Sequence, residues 1–328
     1  MKIAGEAVLR NVTVILSLLM FVPLSWSLEP RQFEFNYEVD VPQLPADNAL
    51  DLYLPLPSAQ HGQRIVSESL QSTLPGSKTV ADAYGNRFFH IHRAQGDNTP
   101  VQANLSWRIV REEVQADGVA TLSAEDRARY LSPNSLVPVG HEILDPIRQE
   151  VHAMRKDQFS DATARAIYDW LVDNVEYKKV GTGWGNGDTF WACNERYGNC
   201  TDFHALFISL ARTEGIPARF EIGFPVPLDR TQGDIGGYHC WVQFFLPDQG
   251  WVPIDASEAA KHPQMRELLF GSHPADRIHF TTGRDLVVSE YSAASPLNYF
   301  IYPYLEVGGK VWEEKIPTRF SYRDVVES

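Results

Sequence analysis

The chain has 328 residues and a formal net charge of −13. That balance excludes partners that select basic faces, such as a nucleic-acid backbone or an anionic lipid surface. Hydrophobic residues make up 44%, with 17 Phe, 13 Tyr and 8 Trp, which excludes a disordered or low-complexity chain and is enough core for about two domains.

Residues 1–27 read as a secretory signal. Lys2 and Arg10 supply a positive start, and Val12 to Leu24 is an apolar run too short for a comfortable membrane span. Ser25 and Ser27 place small residues where a signal peptidase reads. The alternative is an uncleaved anchor helix. With no second long apolar run, the mature chain is expected to be exported, periplasmic or extracellular, without a membrane span. Lys2 and Arg10 less Glu6 contribute +1, so the remainder carries −14.

Residues 28–140 read as a β-sandwich domain. Phe33, Phe35, Tyr37, Val39 and Val41 alternate, as do Leu50, Leu52, Leu54 and Leu56, and then Val101, Ala103, Leu105, Trp107 and Ile109. Period two means half-buried strands. The polar residues of this region are scattered and carry no visible chemistry.

Residues 141–328 read as an α+β unit with a β extension at its end. Ser160 can cap a helix whose inner stripe includes Ala166, Ile167, Trp170 and Leu171. A loop with Gly181, Gly183, Gly185 and Gly187 follows. It lacks the Gly-Lys-Ser/Thr order of a phosphate loop and is expected to be a mobile cleft wall ending at Trp191. From Cys200, residues Phe203, Leu206, Phe207, Leu210 and Ala211 mark one buried helix face, stopped by Gly215 and Pro217. Strands are expected at 218–224, 238–246 and 251–255, and a hairpin turn at Gly308-Gly309.

Three segments hold the chemistry: Gly198-Asn199-Cys200-Thr201-Asp202, Tyr238-His239-Cys240-Trp241 and Gly250-Trp251-Val252-Pro253-Ile254-Asp255. A thiol is a competent nucleophile only when a base, itself held by an orienting group, keeps it as thiolate. Cys200 at a helix N-terminus has unpaired N–H groups and the helix dipole to favour the thiolate, and the same N–H groups can serve a developing oxyanion. Gly198 is expected to permit a sharp turn and leave room for substrate. The bland reading of Cys200 is a buried small hydrophobe or a disulfide partner.

His239 is the preferred base, on the strand face shared with Trp241 and Gln243, which is expected to look into the cleft, with Trp241 shielding the ion pair. His204, one helical turn from Cys200, is the rival base. Asp255 is the orienter only if the hairpin register suits it. A four-residue loop Pro247–Gly250 pairs Val242 with Asp255 and turns the carboxylate away. A five-residue loop, Leu246–Gly250, or a bulge sets Asp255 opposite Trp241 and diagonal to His239.

Cys193 and Cys240 are expected to be buried free thiols. An exported chain also permits a bridge between them, or a Cys193–Cys200 bridge that holds the site off until reduced. A zinc site from Cys193, Cys200, His204, His239 and Cys240 matches no paired C-x-x-C spacing, so neither metal nor cofactor is expected.

These three segments, with Gly215-Ile216-Pro217-Ala218-Arg219, resemble the bacterial transglutaminase-like superfamily over roughly residues 160–258. The resemblance implies a papain-like core, helices on an antiparallel sheet, with Cys200 as nucleophile, His239 as base and Asp255 as orienter. Trp191, Asn199, His204 and Trp241 are tentative substrate or oxyanion residues. Tissue-type members carry Gln and Trp where this chain has Asn199 and Thr201, which favours hydrolysis over cross-linking. The expectation is a thiol acyl-transfer enzyme acting on a protein or a cell-wall peptide. The competing expectation is a binding or assembly module on the same scaffold, without turnover.

Overall fold

The computed structural model describes residues 30–44, 47–60, 62–80, 83–289 and 296–325. The expected signal segment lies outside them. Where the sequence alternates, strands form: Arg31–Asp40, Leu50–Leu56 and Gln102–Arg111. Phe33, Phe35 and Tyr37 of the first, Leu50 to Leu56 of the second, and Leu105, Trp107 and Ile109 of the third are buried in one apolar cluster that runs on into the helices.

These strands belong to two five-stranded sheets. The first runs in the order Gln232–Ile235, Thr318–Asp324, Arg31–Asp40, Gln102–Arg111, Gln63–Ser72. The second runs Lys310–Val311, Tyr304–Val307, Leu50–Leu56, Arg87–Arg93, Gly76–Val80. Both therefore take strands from beyond residue 230. The division expected at residue 140 does not follow the sheets: the end of the chain returns and pairs with strands Arg31–Asp40 and Leu50–Leu56, whose edges would otherwise carry unpaired backbone groups. Gly308 and Gly309 make the expected turn, with φ of 58° and 69°, the positive values a two-residue hairpin needs.

A third sheet is four-stranded, in the order Gly250–Ile254, His239–Leu246, Ala218–Pro225, Arg277–Thr282, and every pair in it is antiparallel. Against it lie the helices Ser160–Asn174 and Cys200–Thr213, and helix Ala256–Lys261 packs on both of them. Helix Cys200–Thr213 is buried on all sides from Cys200 to Arg212, not on one face only. It sits between the sheet and the helices Ser160–Asn174 and Thr189–Glu195, so its polar residues must find internal partners. Ser160 opens its helix, but the cap position is Phe159 and no side chain caps it.

Strand Arg277–Thr282 would be an open edge. Two amide side chains close it. Gln63 accepts from the His279 N–H at 2.8 Å and donates to the His279 carbonyl at 2.9 Å. Asn86 does the same for Thr282, at 2.8 Å both ways. Each amide stands in for a strand residue and ties the N-terminal strands to the core sheet. Among the described residues, no helix is long and apolar enough to cross a membrane.

Candidate active site

Cys200 is the first residue of its helix. The cap before it is a closed polar circuit. Asn199 Oδ1 accepts from the Thr201 N–H at 2.9 Å, and Asp202 Oδ2 accepts from the Asn199 N–H at 2.9 Å, a reciprocal capping box. The Asn199 carbonyl takes the N–H groups of Asp202 and Phe203. The circuit thus uses the N–H groups of Thr201, Asp202 and Phe203 and not that of Cys200.

Asp202 does more than cap. Its two oxygens also accept from the Gly185 N–H at 2.7 Å and the Gly187 N–H at 3.0 Å. Arg284 donates to the carbonyls of Gly187 and Asn186 at 2.7 and 2.9 Å, and the Tyr299 hydroxyl to that of Gly185 at 3.1 Å. The glycine loop is therefore a pinned wall, not the mobile one expected, because a buried carboxylate and a buried guanidinium hold its backbone. The space at Gly198 serves the same carboxylate: a Cβ there would come within 2.3 Å of Asp202 Oδ2. Room for substrate is not what requires that glycine.

Hairpin register decides the place of Asp255. The pairs are Leu246 with Gly250, Phe245 with Trp251 and Val242 with Ile254, around a three-residue loop, Pro247 to Gln249. This is the register that sets Asp255 opposite Trp241 and diagonal to His239. His239 Nε2 lies 2.6 Å from Asp255 Oδ2, and both residues are buried. Asp255 uses only one imidazole nitrogen, and Cys200 lies near enough to His239 and Cys240 to be acted on by both.

Asp255 has a full set of partners. Arg277 Nη1 donates to Oδ2 at 3.0 Å, and the Ser257 hydroxyl and the Glu258 N–H donate to Oδ1 at 3.0 Å each. It also caps helix Ala256–Lys261. Burial alone would raise the Asp255 carboxyl, but the His239 charge and hydrogen bond, then Arg277, hold it well below the usual carboxylate range. For His239 burial alone would favour the neutral ring. Asp255, through charge and hydrogen bond, and then Cys200 outweigh it and lift the imidazole to about 10. Burial likewise pushes the Cys200 thiol up, and the Cys240 and His239 hydrogen bonds and the His239 charge bring it well below the ordinary thiol value. Both directions favour the thiolate–imidazolium form of the pair.

The rival base is placed differently. His204 Nδ1 is 3.4 Å from Cys240 Sγ and its Nε2 is 3.7 Å from Asp255 Oδ1. Burial pushes it down to about 4, so it stands there neutral. It contacts Cys240, the residue after His239. Cys193, Cys200 and Cys240 are all buried and unbridged.

Two tentative assignments need correction. Trp241 does not line a cleft: it is 0% exposed, because strand His239–Leu246 is buried on both faces. Its indole N–H donates to Glu221 at 2.6 Å, and its ring stands 6.1 Å from that of His239, so it borders the pair from below. Trp191 has its indole N–H committed to the Tyr197 carbonyl at 3.2 Å and is not an available oxyanion donor. Asn199 is similarly occupied at both ends, by Thr201 and by the Tyr238 hydroxyl, to which Nδ2 donates at 3.0 Å.

Sequence reasoning missed Arg277 and Tyr238 as parts of the site. Nothing around Arg277 distinguishes it from a surface arginine of a strand. Tyr238 does carry a signal, since a half-buried tyrosine beside the base must send its hydroxyl somewhere.

Residues 146–256 match the family model of the transglutaminase-like superfamily. An uncharacterised protein of Haemophilus influenzae is 30% identical over 191 residues, which are 48% of this chain and 52% of that protein. A protein-glutamine gamma-glutamyltransferase of Pseudomonas aeruginosa is 25% identical over 237 residues, 69% of this chain and 32% of that protein. The chain thus spans about half of the first relative and a third of the second. A solved protein from Cytophaga hutchinsonii, provisionally assigned as a cysteine protease, shares the fold over 92% of both chains, with a TM-score of 0.59 and 18% identity.

Proposed function

We propose, from the match of residues 146–256 to the transglutaminase-like family model, that this chain is a thiol acyl-transfer enzyme acting on peptide or side-chain amides. One observation carries the reading: the fold brings Cys200, His239 and Asp255 together from a helix tip, a strand start and a strand end, with His239 hydrogen-bonded to Asp255 and acted on by Cys200. In the reaction the Cys200 thiolate attacks the amide carbonyl carbon. The Cys200 N–H, which the cap leaves out, faces the developing oxyanion. The His239 imidazolium passes its proton to the departing amine, and the carbonyl carbon stays on sulfur as a thioester. Water then attacks, His239 takes its proton, and the acid and the thiolate are released.

Hydrolysis is the preferred outcome over cross-linking. Asn199 and Thr201 replace the residues that flank the nucleophile in cross-linking members, and water is always present. The glutamyltransferase relative supports a glutamine side-chain amide as one donor. The signal-like composition of residues 1–27 supports a reaction outside the cytoplasm.

Iodoacetamide labelling tests the ion pair before any substrate is known. Cys200 is expected to react near pH 6, well below the range of an ordinary thiol. Labelling that rises only along a normal thiol titration would favour a binding module without turnover. With glutamine-containing proteins and cell-wall peptides as substrates, Cys200→Ala is expected to lose ammonia release and peptide cleavage entirely. Wild-type turnover by that variant ends the proposal.

A further inference from the structure

In the thiolate–imidazolium form, three buried residues of the site carry charge: Cys200, His239 and Asp255. Two anions then face one cation, and buried charge is unfavourable unless it is balanced. The other titratable groups around them do not restore the balance. Burial keeps His204, His273 and Tyr177 neutral and leaves the proton on Cys240. Glu258, whose Oε1 lies 3.8 Å from His239 Nε2, is half-buried and taken up by Lys261. Glu221, on the neighbouring strand, is taken up by Arg219 and Trp241.

Arg277 supplies the second cation. It opens strand Arg277–Thr282 and is buried. Three contacts fix its guanidinium. Nη1 donates to Asp255 Oδ2 at 3.0 Å, and Nε donates to Asp276 Oδ1 at 2.9 Å. The group also lies 5.1 Å from the centre of the Trp241 ring, whose own N–H is held by Glu221. A guanidinium carries its charge at any working pH.

Arg277 and His239 share one oxygen. His239 Nε2 and Arg277 Nη1 meet Asp255 Oδ2 at 2.6 and 3.0 Å, so the two nitrogens stand no more than about 5.6 Å apart. Like charges that close disfavour each other. Arg277 therefore acts on His239 in the sense opposite to Asp255: the carboxylate holds the proton on the ring and the guanidinium loosens it. Arg277 has the same effect on its other basic neighbours, His204, His273 and Arg111. In the reaction His239 must give a proton to the departing amine and later take one from water. A ring faced by two anions alone would keep its proton through both steps.

We propose that Arg277 is a positioning residue of this reaction: by binding the same carboxylate oxygen as His239, it neutralises the buried triad and leaves the imidazolium able to release its proton. The inference rests on the thiol acyl-transfer reading, but its electrostatic part is measurable without turnover.

The test uses the full chain carrying Cys200→Ala and carbon-13 at histidine Cε1, with the His239 signal assigned by its loss in His239→Asn. Adding Arg277→Met is expected to raise the His239 titration midpoint by about one pH unit or more. Asp276 is partly exposed, and adding Asp276→Asn, which leaves the Arg277 charge unopposed on that side, is expected to lower the midpoint. Arg277→Lys keeps the charge and should hold the midpoint within about 0.3 units. In chains that keep Cys200, Arg277→Met should lower kcat at pH 7 roughly tenfold with KM nearly unchanged, and Arg277→Lys should recover most of it. A midpoint that stays or falls in Arg277→Met, one that rises in Asp276→Asn, or full turnover by Arg277→Met would overturn the proposal. If Arg277→Met fails to fold, the direction of the Asp276→Asn shift decides. Should Cys200→Ala retain turnover while the midpoints move as stated, the acyl-transfer reading falls and the charge balance stands.

Discussion

Asp255 is asked to hold three cations or donors at once: His239, Arg277 and the cap of the next helix. A buried carboxylate with that many partners stays ionised, and its charge keeps His239 protonated up to about 10. Replacing Asp255 by Asn leaves the shape and removes the charge. The alkaline limb of the pH–rate profile should then fall by more than one pH unit, and turnover at pH 7 should drop roughly 10³-fold. An unmoved alkaline limb would mean that another group holds the imidazolium. The same logic separates the two histidines. His239→Asn should abolish iodoacetamide labelling near pH 6, whereas His204→Asn should retain it, because His204 faces Cys240 and not the nucleophile.

At the level of elements, the reactive helix tip is built by its own third residue. Asp202 receives N–H groups from Asn199, Gly185 and Gly187, so one carboxylate caps the helix and fixes the wall beside it. Asp202→Ala leaves three buried donors without acceptors, and each such group costs about 1–3 kcal/mol. A loss of about 3 kcal/mol or more is expected in urea unfolding, with a lower kcat among the molecules that remain folded. A loss under 1 kcal/mol would show that the loop finds other acceptors. Gln63 plays the corresponding part for strand Arg277–Thr282. Gln63→Leu is expected to cost about 2 kcal/mol or more by leaving the His279 N–H and carbonyl buried and unpaired. A cost near zero would mean that water serves that edge.

For the whole molecule, the buried titratable groups set how stability depends on pH. Burial pushes His204 and His279 down to about 4 and His273 well below its ordinary value, so they fold neutral. The unfolded chain protonates them from about 6.5 downward, and below that pH it binds more protons than the native state. The depressed Cys200 thiol adds to the same slope. Stability is therefore lost as pH falls from about 6.5. Above it, the raised His239 loses stability with rising pH while the depressed Cys200 gains it, and the two offset each other up to about 8.5. Beyond that only losses remain: His239 still titrates near 10, and Cys193, raised to about 11 by burial, and Cys240 favour the unfolded state once its thiols ionise. A plateau between about pH 6.5 and 8.5 with a decline on either side is expected in thermal unfolding. His279→Gln should flatten the acid side by about 1.4 kcal/mol per pH unit. An unchanged acid slope would assign it to other groups.

Local pattern was enough for the elements. The alternation of Phe33 to Val41, the stripe from Phe203 to Ala211 and the glycines at 308–309 each depend on neighbours a few residues apart, and such short-range rules are written in sequence. The three residues proposed to react could be singled out for a related reason, since a cysteine at a helix start and a histidine at a strand start each sit in their own local signature. Their meeting was not legible. It turns on whether the loop after Leu246 sets an odd or an even register, a one-residue matter that flips Asp255 between faces. Arg277, the amides that close its strand, the commitment of the Trp191 and Trp241 N–H groups and the strands returned from the chain end were also beyond reach. Except for Trp191, whose acceptor is six residues away, each is a contact between residues about 20 to 300 positions apart, and only packing selects among the partners that the same side chain could have found.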